Sequence, residues 1–157
     1  MEETRRPVTF AGAPLERSRH VCAFFDTVDT RYQTLTPFVR EGLDRGEKVV
    51  HIIDPKLREE HAARLRHAGV PVDAATTPDQ HATLTWDDAY LREGYFDPDR
   101  MIEQLQSLLA EGERAFPLVR LAAHMEWALE DRPGVDQLVE YETRLNYTLL
   151  RSKHPVI

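Results

Sequence analysis

The feature that most constrains this chain is an alternation of two hydrophobic periods. Short apolar runs of strand length are separated by stretches with apolar residues every three or four positions, which is helical spacing. His20-Val21-Cys22-Ala23-Phe24-Phe25 reads as a first strand, buried on both faces and closing on Asp26. Tyr32, Leu35, Phe38, Val39 and Leu43 then mark a helix that stops at Gly46. Residues 48–54 read as a second core strand, and Pro55 opens a helix to about His67 with Leu57, Ala62 and Leu65 inward. Short strands are expected at 70–75 and 82–85. Asp97-Pro98 is a helix-start signature, followed by the stripe Met101, Ile102, Leu105, Leu108 and Leu109 as far as Gly112. A further strand covers 119–127, Val135, Leu138, Val139, Leu145 and Leu149 mark a last helix, and Pro155-Val156-Ile157 begins one more strand. This order predicts a three-layer α/β sandwich with a mainly parallel central sheet. Residues 1–18, with Pro7, Gly12 and Pro14, read as a flexible leader, leaving 19–157 as the domain.

Length and charge narrow the function classes. A chain of 157 residues suits one domain. Its net charge of -7 argues against non-specific binding to nucleic acid or an anionic membrane. No apolar run approaches the roughly 20 residues that span a bilayer. Arg5 and Arg6 precede no apolar signal core. The single cysteine, Cys22, excludes an internal disulfide and a cysteine-cluster zinc site. Together these predict a cytoplasmic protein.

The strand at 119–127 is unusual. Val119, Leu121, Ala123 and Met125 share one face, while Arg120, His124 and Glu126 share the other, ending beside Trp127. Burying such groups without partners costs several kcal/mol, of the order seen for uncompensated polar burial. They therefore either satisfy one another or line a cavity. Asp26, Asp54 and Glu126 fall at strand ends, where open α/β sheets bind ligands, although Asp54 before Pro55 better suits a helix cap. Glu142 sits on the inward stripe of the last helix and needs a partner, Arg120 or Arg144.

Several chemistries are excluded and two stay open. The connection 26–31 has no glycine or lysine, so no phosphate loop is present, and the glycine-rich dinucleotide fingerprint is also missing. No Gly-x-Ser-x-Gly elbow occurs. No catalytic residue, metal or cofactor is assigned. His61 and His67, six apart, fall off one helical face. If the first strand neighbours that at 119–127, His20, Cys22, His124 and Glu126 would offer N, S and O ligands for a zinc-like ion, the basis of a metalloprotein or enzyme alternative. The other reading is an organic-ligand pocket with aromatic walls. In it His124 and Glu126 orient the polar end, and Phe24, Trp86 and Trp127 wall the rest.

The runs at 20–25, 37–43 and 46–50, then Trp86-Asp87-Asp88-Ala89-Tyr90-Leu91, His124-Met125-Glu126-Trp127 and Tyr141-Glu142-Thr143-Arg144-Leu145-Asn146, resemble in order the blocks of the MEDS family, the methanogen/methylotroph DcmR-type sensory domain. The resemblance spans about 19–157. It implies a cytoplasmic signal-input domain for small hydrocarbon derivatives, occurring alone or joined to DNA-binding or kinase-like output modules. It also implies a RecA/KaiC-like fold lacking the phosphate loop. It places His20, Cys22, Glu126 and Trp127 at candidate pocket positions. The end at Ile157 departs from the family pattern, in which the last strand continues, and this leaves the final strand and any output domain open. The expected ligand set is thus His20, Cys22, Phe24, Trp86, Tyr90, His124, Glu126 and Trp127. The leading expectation is a non-catalytic sensor of a small, largely apolar organic molecule that relays occupancy to a regulatory protein or fused output domain. It has no nucleic-acid contact of its own and no membrane span. A homo-oligomer and a ligand-free interaction domain remain alternatives.

Overall fold

The computed structural model describes residues 7–15, 19–72 and 79–157. The chain opens with a two-residue hairpin, β1 (Thr9–Phe10) against β2 (Ala13–Pro14). Ala11 and Gly12 turn it with positive φ of 50° and 79°, as a tight hairpin requires. Val8 and Phe10 are buried, and the Phe10 ring meets Phe38 edge-on at 5.9 Å. Residues 7–15 are therefore a packed hairpin rather than a flexible leader. The apolar Val8 and Phe10 outweigh the Pro and Gly around them.

Helix α1 (Val28–Asp44) starts at Thr27, whose hydroxyl accepts from the Thr30 N–H, and buries Leu35, Phe38, Val39 and Leu43 as the spacing predicts. Strand β3 (Lys48–Ile53) follows, and Asp54 accepts from the Lys56 N–H at 2.8 Å, the capping role expected of it. Helix α2 (Arg58–His67) comes next. The strand expected at 70–75 is not formed over 70–72, and the rest of it lies outside the described residues. Strand β4 (His81–Thr85) precedes a 3-10 turn (Trp86–Asp88), and Asp97 caps α3 (Pro98–Ala115) by accepting from the Arg100 N–H at 3.1 Å. The helix runs through Gly112 instead of ending before it. A Cβ there would stand 2.5 Å from Val119 Cγ2, so the glycine lets α3 press onto β5 (Val119–Ala123). 3-10 turns at Glu126–Leu129 and Val135–Gln137 lead into α4 (Leu138–Leu149), and a further one at Pro55–Leu57 precedes α2.

The strands are parallel in the order β4-β3-β5, with Val49 opposite both His81 and Arg120. Beyond β5, Val156 bridges Leu121 on one side and His20 on the other, both in parallel. The expected first strand thus contributes a single bridged residue, and the C-terminal run lies between it and β5. One face of the sheet packs Val50, Ile52, Val119 and Leu121 against α3 and α4 residues including Met101, Leu105, Tyr141 and Leu145. The other packs Val49 and Ala122 against Leu35, Phe38, Val39 and Leu65 of α1 and α2. This is the predicted three-layer α/β arrangement. Among the described residues no helix is long and apolar enough to cross a membrane.

Candidate functional site

Strand alternation loads the α1/α2 face of the sheet with polar groups. His51 projects from the middle of β3 on the same face as Val49, and the parallel register puts His81 of β4 on that face too. His124 lies one residue beyond β5, on the parity of Arg120 and Ala122. Helix α2 brings His61 against them. The His51 ring centroid is 4.5 Å from His61 and 5.2 Å from His81, and His61 is 5.7 Å from His124. Tyr32 of α1 joins with its hydroxyl 2.7 Å from His61 Nδ1 and its ring 6.3 Å from His124. Arg31, paired with Glu126, lies at the rim.

These imidazoles are costly where they are. His51 is 0% exposed, and neither of its ring nitrogens has a hydrogen-bond partner among the described residues. The Nε2 atoms of His61 and His124 and the Nε of Arg31 are likewise buried and unpartnered. Each unpaired buried polar atom costs roughly 1–3 kcal/mol. Burial, with the Arg31 charge and neighbouring histidines assisting, holds His61 at about 4 and His124 at about 3. Burial and the other three histidines push His51 well below its ordinary range. His51, His61 and His124 are therefore neutral near pH 7, each ring carrying one N–H donor and one lone pair.

Arg120, on the same face, is mostly paired, with only its Nη2 lacking a partner among the described residues. Its Nε donates to Glu47 Oε2 at 2.5 Å, and Nη1 donates to Glu41 Oε2 and the Phe38 carbonyl, each at 2.8 Å. Burial works to raise the Glu41 carboxyl, but the hydrogen bond and charge of Arg120 outweigh it and hold the group below its usual range. Gly42 makes the room, since a Cβ there would stand 2.7 Å from Arg120 Cδ.

The eight residues expected to share one pocket fall in separate places. The strand ends at Ala123, and the 3-10 turn that follows breaks the alternation. Trp127, 0% exposed, enters the opposite core at 5.0 Å from the Tyr90 ring and 4.9 Å from Phe96. Trp86 and Tyr90 belong to that core as well, Trp86 donating its indole N–H to the His124 carbonyl at 2.7 Å. Glu126 is exposed and engaged by Arg31, and Phe24 is 95% exposed, walling nothing. His20 and Cys22 do not meet His124 and Glu126, because Val156 lies between their segment and β5. They face α4, where Glu142 takes them as partners in place of Arg120 or Arg144. Arg144 pairs with Asp99 and Glu140 instead. Open surface hollows lie along residues 130–136 and beside Tyr95, Asp97, Gln137 and Glu140, and none of the clustered histidines, Cys22 or Glu142 lines them.

The fold and the histidine face together define a small α/β domain with uncharged hydrogen-bonding side chains buried where a sheet face is ordinarily apolar. Residues 19–157 match the family profile of MEDS, the MEthanogen/methylotroph, DcmR Sensory domain, and the chain belongs to that family. Membership supports a sensory, signal-input role. No curated protein and no solved structure matches the chain significantly.

Proposed function

We propose that this domain senses a small, largely apolar organic molecule bound between the sheet and α1/α2, with His51, His61 and His124 addressing its polar end. The observation that carries the reading is the set of buried, neutral imidazoles in which both nitrogens of His51 and the Nε2 atoms of His61 and His124 lack partners among the described residues. A fold retains such unpaired groups at a cost of kcal/mol each when another molecule completes them. Neutral rings can donate to an alcohol, carbonyl or carboxylate oxygen and accept from a hydroxyl. Aliphatic neighbours such as Leu65 and Ala122 on this face would suit the apolar remainder. Occupancy would signal by favouring one arrangement of α1 and α2 over another, which requires different affinities for the two. A regulatory protein or fused output domain would read that change in the cytoplasm.

The test is a calorimetric and NMR screen of short-chain alcohols, amides and carboxylates against the wild type, His61→Ala and His124→Ala. Saturable binding in the wild type that both substitutions abolish is expected. Binding that survives both would reject the placement.

A further inference from the structure

A second polar cluster, on elements separate from the histidine face, joins the His20 segment to α4. His20 Nδ1 stands 2.8 Å from Asn146 Oδ1, an atom that only accepts, so His20 donates from Nδ1 and turns Nε2 to Glu142 Oε2 at 3.3 Å. The Cys22 thiol lies 3.6 Å from the same carboxylate oxygen. A His20 ring nitrogen, the Cys22 Sγ and a Glu142 carboxylate oxygen all lie within 4.8 Å of one another, the one His/Cys/Asp/Glu group gathered this closely among the described residues. Glu142 and Asn146 are four apart on α4 and so present to the same side.

An imidazole lone pair, a thiol sulfur and a carboxylate repel when crowded unless protons or a cation stand between them.

We propose that His20 Nε2, Cys22 Sγ and a Glu142 carboxylate oxygen bind a divalent ion of the zinc class, leaving a fourth position open to solvent. Mixed N, S and O donors in a set of three suit zinc, and three protein ligands with an open position are the pattern of its non-structural sites. Asn146 is a positioning residue, accepting the remaining imidazole N–H and orienting the ring as outer-shell carbonyls do. Binding exchanges protons for the ion. Cys22 S–H gives its proton to solvent, the ion takes the sulfur lone pair, and any proton shared by His20 and Glu142 leaves with it.

The experiment titrates the full chain, reduced without added thiol, with Co(II) and then Zn(II). Saturation at one ion per chain is expected, with a near-ultraviolet thiolate-to-cobalt charge-transfer band that zinc erases and with release of protons. Cys22→Ser removes the band, Glu142→Gln weakens binding, and Asn146→Ala weakens it by about 10–100-fold. Cys22 is exposed, so its serine variant retains the fold, which far-ultraviolet dichroism verifies. Three outcomes would overturn the site: no saturable cobalt or zinc binding, binding without the thiolate band, or affinity unchanged in both Cys22→Ser and Glu142→Gln. Loss of binding in His61→Ala with Cys22→Ser unaffected would assign the ion to the histidine face and overturn it equally.

Discussion

The two faces of one small sheet have been built to opposite specifications. Toward α3 and α4, the core packs Trp86, Tyr90, Phe96, Trp127 and Tyr141 around Val50, Ile52, Val119 and Leu121. Tyr90, Phe96, Trp127 and Tyr141 interlock at centroid distances of 4.9–6.3 Å, within the range of attractive ring pairs. Toward α1 and α2, the same strands present His51, His81 and Arg120. Since neighbouring residues on a strand face opposite ways, a single strand serves both purposes. In β3, Val50 and Ile52 stabilise the fold while His51 between them costs stability. One face is thus given over to apolar packing, while the other mixes apolar packing with buried polar groups and is the face proposed for recognition.

The largest expected effect tests the apolar face. Trp127→Ala removes a side chain with no exposed surface and should cost about 3–5 kcal/mol in denaturant unfolding, as large-to-small core substitutions do. A small loss would mean that this face is not the stabilising one. Next comes the ion-pair network on the other face. Arg120→Met strands the buried Glu47, leaves Glu41 with Arg45 alone as its ion-pair partner among the described residues, and should cost about 3–5 kcal/mol, the usual result of breaking a buried ion pair from one side.

Acid should act through the histidine face. Burial holds His61 at about 4 in the folded protein, against an ordinary value of 6.5. The unfolded chain therefore takes up its proton first on acidification. Stability is intact above about pH 6.5 and falls as the pH drops toward 4, by about 3 kcal/mol from this residue alone. Chemical denaturation of the ligand-free protein across that window measures the slope, and His61→Leu should flatten it. A slope unchanged by that substitution would place the acid sensitivity elsewhere.

The smallest effect is the most discriminating, because its sign is unusual for a core position. His51→Leu replaces a buried ring lacking partners with an apolar side chain, so stability should be unchanged or rise by about 1 kcal/mol while ligand binding disappears. A loss of several kcal/mol would mean that His51 is structurally satisfied.

Much of the architecture was legible because periodicity reports directly on burial. The stripes of α1 and α3, the Asp97-Pro98 start and the core strands at 48–53 and 119–123 all follow from local pattern. The candidate site was less legible. Strand alternation carries the row Arg120, His124 and Glu126 on to Trp127, but the chain turns after Ala123 and sends Trp127 to the other core. His124 was legible; its true neighbours come from β3, β4, α1 and α2, and sequence carries no record of that register. One signal was available. His51 interrupts an apolar core strand in the same way as Arg120 and His124, and a polar residue inside such a run marks a face worth inspecting. His61, set aside for its spacing from His67, faces a ring on another element. Cys22 and His20 were paired with the wrong acid because the C-terminal strand inserts beside β5, a topological choice beyond local pattern.

The most direct test of the recognition face is the long-range proton–nitrogen NMR spectrum of the histidine rings, recorded without and with a ligand from the short-chain screen. The account predicts three neutral imidazoles, His51, His61 and His124, whose nitrogen shifts all move on binding while the Trp127 indole stays still. Shifts confined to His20 or the Trp127 indole, with those three rings unmoved by every ligand that binds, would contradict it.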